Sequence, residues 1–401
     1  MWRAFGLLLL GFVGGLALVG CADLSYYRQA VAGQLALLHA ARPVADVLAD
    51  PATPPALRQR LQQTQALRVF ASTELALPDD GSYRHYADLG RPYAVQNVFA
   101  APALSLEPRQ WCYLTVGCLS YRGYFDAEAA RELATQMRLA GDDVYIADIP
   151  AYSTLGWLDD PLLNTFALWP VGRLAELMFH ELAHQRLYIA DDTGFNEAFA
   201  TAVGRLGAER WLEQQGTARE RADYQADCQR RDDFLALTGA ARERLQVVYA
   251  SSRTDTIKQA EKQAVLTNLR EDYQRLKQHW GGYAGYDRWF AHDLNNAKLA
   301  GNSTYYRWVP AFFALYRQEN EDFPAFYRAV EALGQLSAVE RAARLGALSV
   351  STAHRVLETE QAEEEVAVIV RSKVKTTAFR RSDLSLKPFT RLMSRDGVSI
   401  R

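Results

Sequence analysis

Phe179-His180-Glu181-Leu182-Ala183-His184-Gln185, followed by Phe195-Asn196-Glu197-Ala198-Phe199-Ala200, decides how this chain is read. His180 and His184 are four apart, which on a helix stacks their imidazoles on one face, one turn above the other. Glu181 is turned about 100° from His180, where its carboxylate can reach a water on a metal without binding the metal itself. The flanking run from Gly172 to Tyr188 reads as an amphipathic helix, with Leu174, Leu177, Met178, Leu182 and Leu187 packing around the histidines. A second helix is expected to start after the breaker Asp191-Asp192-Thr193-Gly194, with Glu197 in its first turn. A helix, a tight connection and a returning helix bring Glu197 back against the histidine pair. Two imidazoles, one carboxylate and an open fourth position form a known catalytic zinc set, so one Zn2+ on His180, His184 and Glu197 is expected. Two plainer readings stand beside it. HExxH strings occur in unrelated helices, and Glu197 also suits a helix N-terminus, where a carboxylate gains about 0.3–1 kcal/mol from the dipole.

The stretch Asn196-Glu197-Ala198-Phe199-Ala200 resembles the segment that carries the third zinc ligand in aminopeptidase N-type gluzincins. The gap between His184 and Glu197 is shorter than in those enzymes. The whole chain is similar to a family of predicted aminopeptidases found among bacterial envelope lipoproteins. The matching stretches are Tyr26 to Ala30, Gly117 to Phe125, Ala151 to Trp157, the zinc segment, Asn295-Asn296-Ala297 and Val309-Pro310-Ala311-Phe312. This resemblance implies a helix-rich α+β, gluzincin-like fold, with a small sheet beside the HExxH helix and a helical second lobe. It implies a hydrolase that cuts peptide bonds with a zinc-bound water, Glu181 taking the water's proton and delivering it to the departing amine. A tyrosine is expected to meet the developing oxyanion; Tyr305 and Tyr306 are the candidates by chain order, with Tyr188 and Tyr152 competing.

The Gly-x-Met-Glu-Asn element that holds the substrate's free amine in aminopeptidase N is absent. Asp148, Asp159 and Asp160 are the substitutes, and nothing in the sequence chooses among them. Zinc peptidase is therefore the firmer part of the expectation. An endopeptidase acting on envelope proteins or cell-wall peptides is the first alternative, and a non-catalytic, zinc-stabilised envelope lipoprotein is the second.

The N-terminus places the chain. Met1-Trp2-Arg3 carries a positive charge, Ala4 to Val19 is apolar, and Leu18-Val19-Gly20-Cys21 ends the run, the pattern of a secretory signal peptide over residues 1–20. Leu-Val-Gly-Cys also matches the bacterial lipobox, in which Cys21 is lipidated. An uncleaved anchor helix is the alternative, and on either reading the remaining chain faces the periplasm. Ala22 follows Cys21, not the Asp that favours the inner membrane, so outer-membrane attachment is expected. In that oxidising compartment Cys112 and Cys118, close together in an aromatic segment, are expected to form a disulfide, with two buried thiols as the alternative. Cys228 has no evident partner. A net charge of −2 argues against nucleic acid as a partner.

Periodicity organises the remainder. Helices are expected over Leu24–Ala41, Leu57–Ala71 and Ala127–Leu139, and strands over Trp111–Val116 and Asp143–Ala147. Val144 to Ala151 is the candidate edge strand for a substrate backbone, an ordinary buried strand being the alternative. The charged stretch Thr217 to His279 reads as two antiparallel helices, and helices continue from Tyr305 to Leu345. Asn295-Asn296 lines a cleft or caps a helix. The peptidase region thus spans residues 21–355, its sheet-containing lobe ending near residue 190. Residues 356–401 form a disordered tail, since Val366 to Arg401 holds nine Lys or Arg against two Asp and lacks helical period.

Overall fold

The computed structural model describes residues 24–113, 117–151, 154, 158–303 and 306–349. Cys21 with the leader, Tyr152, Tyr305 and the tail lie outside the described residues.

The elements run α1 (24–40), β1 (Ala41–Pro43), α2 (Val44–Ala49), α3 (Pro55–Thr73), β2 (His85–Ala87), β3 (Val95–Pro102), β4 (Trp111–Tyr113), β5 (Gly117–Leu119), β6 (Arg122–Tyr124), α4 (Ala127–Leu139) and β7 (Asp142–Ile149). Then follow β8 (Leu162–Leu163), α5 (Asn164–Ala167), α6 (Val171–Arg186), α7 (Thr193–Gln215), α8 (Ala218–Ala250), α9 (Asp255–His279), α10 (Asp287–Ala291), α11 (Asn296–Ser303), α12 (Val309–Gln318), α13 (Phe323–Gly334) and α14 (338–349). This is the helix-rich α+β class, with three small sheets, and the described residues up to Leu348 form one compact unit.

Local chemistry sets the helix boundaries. Asp126 starts α4 by accepting from the backbone N–H groups of Glu128 and Ala129. A capping box between Thr217 and Glu220 starts α8. Proline within the first two positions opens α3, α12 and α13, where a missing N–H costs nothing.

The main core is built on α6 and α7. Leu174, Met178, Phe179 and Leu182 from α6 meet Phe195, Phe199 and Val203 from α7, and Phe70, Phe312 and Phe326 close over them. Ala87, Leu162 and Leu163 of the β1-β2-β8 sheet join this same core, so that sheet backs the HExxH helix. A second core, rich in aromatic rings, lies between α8, α9 and α10, where Tyr273 and Phe290 stack at 3.9 Å.

The larger sheet has the order β6-β3-β7, antiparallel throughout, with Val98 opposite Ile146 and Ala100 opposite Val144. One face packs on α4 through Val98, Ala100, Ala130 and Ala134; the other packs on α11 through Phe99, Ala101 and Ala297. β7 is an edge strand, and the start of the expected edge is already engaged. Asn295 Nδ2 donates to the Val144 carbonyl, and Asn295 Oδ1 accepts from the Lys298 N–H to cap α11. Asn296, fully buried, donates to the carbonyls of Pro102 and Ala103 and accepts from the Tyr249 hydroxyl. Capping and clasping is thus what this asparagine pair does. β4 and β5 form a separate hairpin in which Cys112 and Cys118 face each other and are joined by a disulfide. Cys228 is buried and unpaired, with its Sγ accepting from Arg231.

Candidate metal centre

α6 begins directly after Pro170 and ends where Leu187 turns extended. The connection to α7 is short and closed by hydrogen bonds. Asn196 Oδ1 accepts from the Ile189 N–H and its Nδ2 donates to the Ile189 carbonyl, at 2.8 and 2.7 Å. Asp192 caps α7 by accepting from the Phe195 N–H, while its Oδ2 accepts from Arg341 of α14 at 2.7 and 2.8 Å. α7 starts at Thr193, inside the stretch expected to be the breaker, because Asp192 supplies the cap. Glu197 consequently stands in the second turn of α7 and not in its first. The dipole of the first turn therefore does not account for it.

The approach of the two helices is set by Gly204. A Cβ there would stand 2.6 Å from the Glu176 carbonyl oxygen and 3.2 Å from the His180 Cβ. No real Cβ tolerates the first of these distances, so only glycine lets α7 lie this close to α6. Gly204→Ala should force the helices apart and destabilise the fold by about 1–3 kcal/mol. The matched control is Gly239→Ala in α8, where a Cβ meets nothing within 4 Å and helix propensity favours alanine by about 1 kcal/mol. Urea midpoints of the two variants should move in opposite directions.

This packing brings three ligand atoms together. His180 Nε2 and His184 Nε2 are 3.1 Å apart, and Glu197 Oε2 lies 3.4 Å from the first and 3.6 Å from the second. His180, His184 and Glu197 are thus a group that could hold a metal ion. The edges of the triangle suit zinc: ligands in tetrahedral coordination with bonds of ~2.0–2.1 Å stand about 3.3–3.4 Å from one another. Thr201, one turn beyond Glu197, places its Oγ1 3.5 Å from His180 Nδ1, so that Nε2 is the ring nitrogen facing Glu197. Burial pushes the Glu197 carboxyl upward, but the His184 and His180 imidazoles override it and hold the group well below the usual carboxylate range. Burial lowers the pKa of His180, but Glu197 and Glu181 outweigh this and raise it above the ordinary imidazole value.

Behind this group lies an ion network whose centre, Glu176 with Arg231, is buried. Glu176, one turn before His180, accepts from both Arg231 Nη atoms at 2.7 and 3.2 Å and from the Tyr224 hydroxyl at 3.1 Å. Arg205 pairs with Asp232 through two parallel bonds, and Arg173 pairs with Asp227. Burial pushes the Glu176 carboxyl upward, yet Arg231 and Arg173 keep it below the usual value. The network ties α6 and α7 to α8.

Tyr306 lies among these charges, its phenol pushed up by burial and pulled back by Arg231. Two other tyrosines lie in the field of the ligands. Burial and then Glu197 raise the pKa of Tyr188; burial, Glu197, Tyr188 and Glu181 raise that of Tyr121. Tyr121 also lines a small cavity with Phe99, Thr193, Ala300 and Gly301, which joins the β6-β3-β7 sheet to the start of α7. On the opposite side, buried Tyr83 adopts φ 62°, and its phenol is raised by burial and by Glu181. Arg68 holds its loop by donating to the Ser82 and Asp80 carbonyls and to Asp79.

Of the three aspartates considered for the substrate amine, two are engaged. Asp148 accepts from Gln96 and Arg288, and buried Asp160 accepts from the Thr154 N–H and hydroxyl. Asp159 is exposed, with its carboxylate packed against Gly81.

The sequence pattern of the family described as "Putative aminopeptidase" matches residues 25–345. The chain belongs to that family. No curated protein and no solved structure matches it. The family's span runs from the start of α1 into α14, and so takes in the ligand helices, the network behind them and Arg341. Family membership carries a peptidase, hence a hydrolase, acting on peptide substrate.

Proposed function

We propose that the chain is a zinc-dependent aminopeptidase of the gluzincin type, with His180, His184 and Glu197 holding one zinc ion and Glu181 acting as general base. The single observation behind this is the convergence of the two Nε2 atoms and Glu197 Oε2, with Glu181 one position round the helix from His180. A zinc ion held by these residues would supply a water acidified towards neutrality and would polarise a carbonyl. Glu181 takes the water's proton and hands it to the departing amine. A phenol donating to the developing oxyanion is worth about 3 kcal/mol. Tyr121 and Tyr188 are the candidates for that task among the described residues, since both phenols feel the Glu197 charge, whereas Tyr306 feels chiefly Arg231 and Glu176. Asp159 is the aspartate best suited to hold a substrate's free amine, because Asp148 and Asp160 already have partners.

The location belongs to the same reading. Leu18-Val19-Gly20-Cys21 after an apolar run supports export and lipid attachment at Cys21, facing the periplasm from the outer membrane. No helix of the described residues is long and apolar enough to cross a membrane.

The test is cleavage of a mixed peptide library with free N-termini beside the same library acetylated. Free peptides should be trimmed residue by residue, acetylated ones left intact, and chelation should stop cleavage until zinc is returned. Internal cuts in acetylated peptides would make the enzyme an endopeptidase. Metal without any cleavage would reduce the zinc to a structural role.

A further inference from the structure

Helix α1 carries an apolar face that nothing in the described residues covers. Leu24, Tyr27, Val31 and Leu35 are 69%, 46%, 58% and 53% exposed. They follow one another at intervals of three and four, so they form one stripe along the helix. Ala32 and Ala36 widen it, and its charged member is Arg28. No Asp or Glu occurs anywhere between residues 24 and 40. The opposite face is fixed to the body. Gln29 Oε1 accepts from the Phe125 and Asp126 N–H groups, Tyr26 meets Tyr113 and Tyr124 beneath the Arg122 guanidinium, and Leu37 enters the core. A Cβ at Gly33 would overlap the Phe125 ring, so α1 is pressed against its neighbour at that point. The stripe is therefore held outward by a rigid attachment.

Scattered exposed apolar residues need no explanation, but a contiguous stripe marks an interaction surface. What precedes it indicates the occupant. Ala4 to Val19 is an apolar run, and Cys21 stands three residues before Leu24; three residues span at most about 11 Å. We infer that α1 lies along the surface of a lipid bilayer, with Leu24, Tyr27, Val31 and Leu35 in the acyl boundary and Arg28 at the headgroups. An interfacial helix adds buried apolar area to a lipid attachment at Cys21 and fixes how the body stands on the surface. Absence of acidic residues on α1 suits the anionic headgroups of such a surface. The inference rests on membrane anchoring at residue 21 and is independent of the peptidase chemistry.

The experiment uses the full chain, processed in cells and reconstituted into vesicles of phosphatidylethanolamine and phosphatidylglycerol. A bimane label is placed at Val31→Cys, and in a separate protein at Val247→Cys on α8, which is 74% exposed; the parent chain gives the background from buried Cys228. In protein that floats with the vesicles, the Val31 label should show a severalfold loss of quenching by aqueous iodide and should be quenched by nitroxide-bearing lipid. The Val247 label should show neither change. A floated protein whose Val31 label stays as accessible to iodide as the Val247 label overturns the inference while leaving the anchor intact. Failure to float overturns both. Protection of the Val31 label in Cys21→Ser protein without vesicles also overturns it, since the stripe would then be covered by residues 4–20 or by a second copy of the chain.

Discussion

Glu181→Gln should keep its bound metal and lose peptide cleavage by a factor of about 10²–10⁴, the usual contribution of a positioned general base. The amide matches the carboxylate in shape but cannot accept the water's proton. Glu197→Ala should behave differently and lose most of the metal. Its Oε2 lies 3.4 and 3.6 Å from the two imidazole nitrogens and supplies the only negative charge of the ligand set. His180→Ala and His184→Ala should follow Glu197→Ala. Metal analysis and peptide cleavage on the same preparations decide the matter. Full metal content in Glu197→Ala would move the third ligand elsewhere, and parental cleavage by Glu181→Gln would end the proposed mechanism.

Arg231→Met should destabilise the fold by about 3–5 kcal/mol at pH 7, because it leaves Glu176 buried without its cation. Tyr224 still donates to Glu176, but a neutral hydroxyl does not replace a charge. The pH dependence has a definite sign. In the parent chain Glu176 is held below its ordinary value of 4.5, so its contribution is complete above that value and fades as pH falls through the lowered one. In the variant burial is opposed only by Arg173 and Arg205 and raises the carboxyl. The penalty is then greatest at high pH and is relieved as pH falls through the raised value. Urea midpoints of parent and variant should therefore converge as pH falls from 7 towards the ordinary carboxylate value of 4.5. Glu176→Gln combined with Arg231→Met should recover part of the loss, and a double variant no better than the single would show that the charge is not what matters.

Much of the helical framework was legible in the sequence. α4 has the expected limits, Ala127–Leu139, because Asp126 caps it and its apolar positions recur at helical spacing. α8, opened by the Thr217–Glu220 capping box, and α9 fall within the charged stretch as expected. β3, the central strand of the larger sheet, was not singled out. Val98, Phe99, Ala100 and Ala101 are all buried, so the alternation that marks a half-exposed strand is missing. β1, β2 and β8 span two or three residues, too few to show any period. His180, Glu181 and His184 were legible because one helix fixes their mutual geometry. Thr201 and Gly204 were not, since their roles depend on the distance between two helices. Asn196 and Tyr121 stood in the sequence only as parts of stretches that resemble the family. Asn196 acquires its role from Ile189 across the connection, and Tyr121 from a sheet whose central strand was unseen.

The brace on Asp192 has a consequence for the order of events in a cell. Arg341, which holds the cap of the helix bearing Glu197, is made 149 residues after Asp192. A chain emerging from its N-terminus carries both histidines and the glutamate long before the residue that braces the cap of α7 is available. The brace on the cap of α7 is completed only when α14 has been synthesised and has docked. On the proposed function, metal capture would then be a late step of maturation, governed by the metal supply where the finished chain resides.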